Sequence, residues 1–367
     1  SPARPKGQTT GRGWRAMSGE RWRIIEGECV EELERWDPDS VDSIVTDPPY
    51  GIGFMGKGWD CSVPGDAFAR AALRVLKPGG HLVAFAATRT VHRLAVALED
   101  AGFELRDQIA WLQWQGFPKS LDVSKAIDSA AGAEREVVGT RVVPDQRGGG
   151  ISSERTVETG GVSTRVVSIT TPTTTEAKQW EGWGTALKPA YEPAILARKP
   201  LIGTVAANVL EHGTGALNID GCRFGYGDQA WPGPGENITG DQDRANGKDR
   251  INTDKYGKAN PHINRASDLG RWPANIYQCP KPSRGERTED NNHPTVKPVR
   301  LMRWLVRLVT PPGGLCVDPF AGSGTTGIAA TQEGVRFIGV EREAGYCQIA
   351  RARIVGDAPL FNRAGGG

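Results

Sequence analysis

The chain is poor in the features that would tie it to a disulfide framework, a metal or a membrane. Its six cysteines (Cys29, Cys61, Cys222, Cys279, Cys316 and Cys347) are scattered, with no Cys-x-x-Cys pair among them. That spacing indicates neither a disulfide scaffold nor a zinc site and suits a reducing cytosol. No apolar run approaches the length that spans a bilayer, and no signal peptide is visible. A cytoplasmic protein without a membrane partner is the expectation. No internal repeat is present. Charge of one sign is lacking too. The 45 basic and 43 acidic residues leave +2 over 367 residues, which permits a nucleic-acid partner without announcing one. The asymmetry that exists is local: Arg4, Lys6, Arg12, Arg15, Arg21 and Arg23 face Glu20 alone. A flexible basic arm over 1–20 fits this, either solvated or lying on phosphates.

The rest is ordinary for a folded chain, at 38% hydrophobic and 24% charged, enough for a packed core. Eleven tryptophans are many for this length. Trp180, Trp183 and Trp231 lie in polar, Gly-rich surroundings where core packing is not the obvious explanation.

Apolar runs alternate with amphipathic stretches at both ends of the chain. The pattern predicts strands at 22–27, 41–45, 81–86, 108–114, 315–318 and 336–340. It predicts helices at 28–36, 67–76, 91–101, 298–310, 325–333 and 344–354. Lys77-Pro78-Gly79-Gly80 is expected to stop the second helix, and Leu301, Leu305, Leu308 and Val309 to face inward. Such βα alternation argues a parallel α/β sheet. Between these ends the pattern dissolves. Residues 145–178 are Gly, Ser, Thr and Val with little period and suggest a flexible insertion or exposed hairpins. Lys188–Arg198 looks like one returning strand. Residues 201–278 are again Gly-, Asn- and Asp-rich, and the run from Tyr226 to Lys258 suits a segment ordered on a partner.

Two motifs sit where chemistry would be expected. Thr46-Asp47-Pro48-Pro49-Tyr50-Gly51 follows an apolar strand and precedes a Gly-rich loop, 51–60. Two prolines remove backbone donors, so the turn offers acceptors: the Asp47 carboxylate and backbone carbonyls. Tyr50 adds a flat ring. Acceptors plus a ring suit a planar ligand bearing an NH2 group; a structural Pro-Pro turn is the alternative. Asp318-Pro319-Phe320-Ala321-Gly322-Ser323-Gly324-Thr325-Thr326-Gly327 holds a G-x-G-x-x-G between a strand and a helix. Glu341 follows about 20 residues on, where such sheets hold a ribose diol. Together these describe a nucleoside-containing cofactor, against an ordinary tight βα turn. His293-Pro294-Thr295-Val296-Lys297-Pro298 leads into the helix before that strand, with Pro298 near its first turn.

Asp-Pro-Pro-Tyr, His-Pro-Thr-x-Lys-Pro and Asp-Pro-Phe-x-Gly-Ser-Gly-Thr-Thr, in this order, resemble the DNA amino-methyltransferases that use S-adenosylmethionine. With the catalytic motif ahead of the cofactor motif, the chain is similar to the circularly permuted beta group. The Lys188–Pro193 segment resembles phage and prophage members. The resemblance covers about residues 22–117, 183–200 and 291–352. It implies a Rossmann-like mixed sheet of the seven-stranded methyltransferase type, helices on both faces, and an inserted target-recognition region. The implied division is 21–130 for the catalytic half, 131–290 for the insertion (183–200 returning to the core), 291–356 for the cofactor half and 357–367 for a tail. The implied catalytic residues are Asp47, Pro48, Pro49 and Tyr50. Those implied for the cofactor are Glu28, Cys29, Asp47, Thr295, Lys297, Pro298, Asp318, Phe320, Gly322, Ser323, Gly324, Thr325, Thr326, Glu341 and Arg342.

The chemistry agrees with that implication. An exocyclic amine is a poor nucleophile; the Asp47 carboxylate and Pro48 carbonyl can hold its two hydrogens and aim its lone pair. The base must leave the duplex, and Tyr50 can stack on it. C5-cytosine methylation is disfavoured, since its Pro-Cys nucleophile is absent and Cys279-Pro280 is the reverse order. Protein-glutamine methylating relatives would carry Asn at the Asp47 position. Asp there is the more usual choice for adenine N6, with N4-cytosine the alternative. An RNA methyltransferase and an inactive DNA-binding homologue are the remaining readings. Double-stranded DNA is the implied partner of a bacterial or phage-encoded enzyme, with room for a homodimer and a cognate restriction nuclease. Arg223, Lys248, Arg250, Lys255, Tyr256, Arg265, Arg271 and Trp272 are candidate DNA contacts.

Overall fold

A computed structural model describes residues 20–53, 60, 62–116, 118, 120–144, 156–159, 162–225, 228–231, 270–287 and 291–357. Almost all of the basic arm, most of the Gly-rich loop 51–60 and most of the run from Tyr226 to Lys258 lie outside these residues. So do Lys248, Arg250, Lys255, Tyr256, Arg265 and most of the tail.

The described chain forms two units, 1–115 with 190–367 and, separately, 116–189. The first is built on one sheet. Its strands are β1 (Trp22–Glu26), β2 (Val41–Thr46), β3 (Leu76–Phe85), β4 (Glu104–Leu112), β8 (Tyr191–Arg198), β9 (Ile276–Gln278), β10 (Leu315–Asp318) and β11 (Arg336–Glu341). Their order is β1-β11-β10-β2-β3-β8-β4-β9. The five from β1 to β3 run parallel, β8 is antiparallel between β3 and β4, and β9 runs parallel to β4. The sheet is thus mixed and Rossmann-like, with eight strands rather than seven. The extra one, β9, is a three-residue edge strand too short to announce itself.

β2 and β10 are buried at every position, which is why most of their residues are apolar; the buried Asp42 of β2 is satisfied by Lys77 (2.6 Å) and by Leu315 N–H (2.7 Å). Alternate residues feed opposite faces. Val45, Val83 and Phe85 join one core cluster, and Ile44, Leu82 and Ala84 the other. Helices α1 (Cys29–Arg35), α2 (Asp66–Val75) and α3 (Val91–Ala101) pack into the second cluster. The helix Val299–Val309 packs into the first, with Leu301, Leu305, Leu308 and Val309 buried as expected. Each such side chain contributes about 1.5–3 kcal/mol.

Two expectations need correction. The helix does stop ahead of Lys77-Pro78-Gly79-Gly80, at Val75, but the strand expected from His81 already begins at Leu76 and runs through that segment, with an irregular register against β2. The Pro78 carbonyl accepts from Asn208 (2.9 Å) and Thr214 (2.6 Å), and Gly79 N–H reaches the Lys199 carbonyl. Tertiary partners thus satisfy a segment that lacks a normal ladder. The fourth strand also begins four residues earlier than its apolar run, at Glu104 rather than Gln108, because Arg198 pairs with Glu104 at the strand's start (2.5 Å).

The second unit carries more order than its composition suggests. Strands β5 (Val137–Pro144), β6 (Thr156–Thr159) and β7 (Val162–Thr170) form an antiparallel sheet in the order β5-β7-β6. The buried Asp128 carboxylate accepts from Thr173 N, Thr174 N, the Thr174 hydroxyl and Arg135. Trp180 and Trp183 stay exposed and pack edge to face on one another. Trp231, in the first unit, packs instead against the core beside Phe224.

One core residue gives the fold a pH dependence. His81, 3% exposed in β3, has its pKa lowered from 6.5 to about 4 by burial, aided by Arg198 and Arg106. A base with a depressed folded pKa binds its proton more readily when unfolded. Stability from this group is therefore complete above 6.5 and lost as pH falls toward 4, by on the order of 3 kcal/mol. Urea unfolding from pH 7 to 4 is expected to show that loss, and His81→Leu to flatten it; an unchanged slope in the variant would refute the assignment.

Candidate active site

β10 and β2 are neighbours, yet the chain leaves β2 toward β3 and β10 toward β11. Their C-terminal ends flank a crevice, the place where open α/β sheets bind ligands. Asp47 follows β2, Asp318 ends β10, and Glu341 ends β11 opposite Glu26 of β1. The Thr46 hydroxyl donates to Asp318 Oδ1 (2.6 Å), tying the two strand ends together.

This crevice encloses about 920 Å3, counting its open mouth. Of the residues implied for a cofactor, Glu28, Cys29, Asp47, Thr295, Lys297 and Asp318 line it. So do Phe320, Gly322, Ser323, Thr325, Thr326, Glu341 and Arg342, together with Pro49. Pro298, Gly324, Pro48 and Tyr50 are not on its wall. Pro298 precedes the helix Val299–Val309 as its N-cap, and Gly324 does the same for the helix Thr325–Gln332. Met302, His293, Val340 and Tyr346 line the crevice without having been singled out for it.

The Gly-rich turn has a steric reason. Gly324 has φ +80, and a Cβ there would lie 2.9 Å from Ala350 Cα. A Cβ on Gly327 would lie 2.5 Å from Ile354 and 2.7 Å from Phe337, so the helix sits directly on the strand. The carboxylates are specifically held. Asp318 accepts from Thr46, from Thr326 (2.5 Å) and from Phe320 N–H (3.1 Å). Burial nevertheless pushes its pKa up to about 6, with Asp47 adding to the rise. Glu341 accepts from Gly322 N–H (2.8 Å), and burial raises it as well. Glu28 caps α1 through Val30 and Glu31 N–H and accepts from the Cys29 thiol. Burial and that carboxylate push the thiol's pKa up.

The Asp47 loop is held by partners distant in sequence. Asp60 accepts from Tyr50 N–H (2.6 Å), Gly51 N–H (2.9 Å) and Ile52 N–H (3.3 Å). Thr90 donates to the Tyr50 carbonyl (2.8 Å). The Tyr50 hydroxyl lies 2.8 Å from Asp47 Oδ1 and 3.0 Å from Glu192 Oε2. Lys297 Nζ is 2.6 Å from Asp47 Oδ2, 2.9 Å from the Tyr50 oxygen and 3.2 Å from Glu192 Oε2. The lysine's side chain is 7% exposed, with the ring of Phe85 4.8 Å and that of Trp111 5.8 Å away. Burial opposes its charge, but the two carboxylates outweigh burial and raise its pKa. Burial would raise Glu192 as well; Lys297 and Tyr50 outweigh this and hold it low. Burial and both carboxylates raise Tyr50 well above its ordinary range, so it remains a hydroxyl.

Glu192 and Asp60 were not assigned roles on sequence grounds. Glu192 reaches the site because β8 is antiparallel: its first residues lie at the edge where the parallel strands end, with Glu192 opposite Trp111. The available signal was an acid just before the apolar run Ala194–Ala197.

A model of the N6/N4 amino-methyltransferases, described as DNA methylase, matches residues 163–352, more than half of the chain. The chain belongs to this DNA methylase family. S-adenosylmethionine is the methyl donor that the family uses. The type II methyltransferase M.HindIII of Haemophilus influenzae is 24% identical over 375 residues, covering 90% of this chain and 94% of that protein. A solved M1.HpyAVI–SAM complex is 19% identical, with TM-score 0.45, covering 91% of this chain and 98% of the other. The cytosine-N4-specific PvuII DNA methyltransferase is 14% identical, with TM-score 0.49, covering 94% and 92%. The crevice lining suits such a donor. Carboxylates fit a sulfonium, an ammonium and a ribose diol, and Phe320, Val340 and Met302 offer apolar surface for an adenine ring. Among the described residues no cluster could hold a metal, and no helix is long and apolar enough to cross a membrane.

Proposed function

We propose that this amino-methyltransferase modifies N6 of adenine in duplex DNA, on a base turned out of the helix against the Asp47-Pro48-Pro49-Tyr50 turn, at the side of the crevice that Asp47 lines. The observation that carries the reading is the Asp47 carboxylate, held at the C-terminal end of β2 on the wall of the donor's crevice. Asp47 and the Pro48 carbonyl accept the two amine hydrogens, Pro49 stiffens the turn, and the Tyr50 ring stacks on the base. S-adenosylmethionine supplies an electrophilic methyl group when bound. Glu341 takes its ribose, Phe320 its adenine, and the turn Gly322–Thr326 lies along it, with Glu28, Cys29, Thr295, Asp318 and Arg342 completing the wall. Asp at the first motif position supports adenine over cytosine.

The region 131–290, apart from 183–200, which returns to the core sheet through β8, reads the target sequence. Within it Arg223 lies over the Trp272 ring and Arg271 over Trp231, each about 5 Å from the centroid, a pairing suited to phosphates and base faces.

Incubation with unmethylated genomic DNA and S-adenosylmethionine, followed by single-molecule mapping of modified bases, tests this. N6-methyladenine in one sequence context is expected. N4-methylcytosine alone would overturn the choice of base, and methyl transfer only to RNA in a parallel reaction would overturn the choice of substrate.

A further inference from the structure

The buried group around Asp47 contains an odd number of charges. Asp47 and Glu192 are acids, Lys297 is a base, and Tyr50 is a neutral hydroxyl touching all three. Their sum is −1. The neighbours do not restore neutrality. His293 is held neutral mainly by burial, Lys281 near Glu192 is exposed, and Asp318, whose neutral donors Thr46, Thr326 and Phe320 leave its charge in place, adds to the negative side.

Without Glu192 the arithmetic and the geometry both fail. Asp47 and Lys297 alone, 2.6 Å apart, make a closed neutral pair, and the ammonium competes with any substrate amine for the carboxylate. Glu192 gives that ammonium a second anion within reach. We propose that Glu192 neutralises Lys297 and thereby leaves the Asp47 carboxylate uncompensated, an acceptor for the positive charge that builds on the exocyclic amine. The proposal rests on the reading of Asp47 as the amine's acceptor. During transfer the nitrogen lone pair forms the N–C bond, the C–S pair stays on sulfur, and positive charge passes from sulfur to nitrogen. The nitrogen then loses one proton to water. A site of net −1 favours that cation, whereas a neutral one does not. Glu192 is thus a positioning residue: it acts through Lys297 and Tyr50 and does not touch the base.

The test uses the full chain, tritiated S-adenosylmethionine and unmethylated plasmid DNA under single-turnover conditions at saturating cofactor. Glu192→Gln, which keeps the shape, is expected to slow methyl transfer about 50-fold with little change in KM for DNA. Adding Lys297→Met removes the cation that Glu192 balanced and is expected to recover most of that loss, since Asp47 again stands alone at −1. Calorimetry supplies a readout independent of turnover. The preference for S-adenosylmethionine, a cation, over neutral S-adenosylhomocysteine is expected to shrink about fivefold in Glu192→Gln. A Glu192→Gln rate within twofold of wild type overturns the proposal. So does a double variant no faster than Glu192→Gln, or an unchanged cofactor preference. A wild-type chain that methylates no DNA overturns the underlying reading and the proposal together.

Discussion

Replacing Asp47 with alanine is expected to abolish methyl transfer while S-adenosylmethionine binding largely persists. The asymmetry follows from placement. Asp47 is one wall residue among many in the crevice proposed for the donor, whose other carboxylates include Asp318 and Glu341, each held by its own partners. In the proposed reading Asp47 does two things at once for the amine: it orients the lone pair and it faces the developing charge. Loss of one such group costs about 10²–10³-fold in rate, and loss of orientation adds to it, so at least a thousandfold fall is expected. Single-turnover transfer from tritiated donor to plasmid DNA measures the first quantity, and calorimetric titration with S-adenosylmethionine in the absence of DNA measures the second, expected within about fivefold of wild type. Turnover within tenfold of wild type would remove Asp47 from the catalytic machinery. Asp47→Asn should fall nearly as far, because it keeps the shape but loses the charge.

How much of this was legible in the sequence depends on how local each feature's cause is. Strands β2, β10 and β11 were legible because burial on both faces leaves a short, mostly apolar and β-branched run at each. The motifs at their ends were legible because Asp-Pro-Pro-Tyr and the Gly-rich turn are set by local backbone needs. Lys77-Pro78-Gly79-Gly80 misled because what holds it in a strand is Asn208 and Thr214, more than 100 residues away. For β5–β7 the sequence left exposed hairpins and a flexible insertion as alternatives, because Thr, Ser and Gly blur the alternation and several valines there face outward; the antiparallel pairing of β5, β7 and β6 answers to the hairpins. Glu192, and the way Asp47, Tyr50 and Lys297 meet around it, were hidden for the same reason. Tyr50 meets Glu192 across 142 residues and Lys297 meets Asp47 across 250. No spacing rule links them; only the antiparallel insertion of β8 between β3 and β4 brings Glu192 to that edge.

Lys297→Met is expected to produce the largest loss of stability of any single change at this site. The lysine lies between two carboxylates among aromatic rings, 7% exposed. Removing the cation leaves Asp47 and Glu192 facing each other across one hydroxyl. Stripping one partner from a buried ionic group costs about 3–5 kcal/mol, so a fall of that order is expected at pH 8. The pH dependence gives the mechanism. In the wild type the lysine's folded pKa lies above 10.5, so its contribution is complete below that value and lost only as pH rises through the folded one. It contributes no slope between pH 5 and 8. In the variant the two acids repel, and together they take up a proton in the folded state more readily than when unfolded. Their penalty therefore grows as pH rises through that raised value, and the difference between variant and wild type should be smaller at pH 5 than at pH 8. Adding Glu192→Gln, which removes the second charge, should return most of the loss at pH 8. Urea unfolding of the three proteins at both pH values measures all of this. A Lys297→Met variant as stable as wild type at pH 8 would mean that water, not the lysine, balances the two carboxylates.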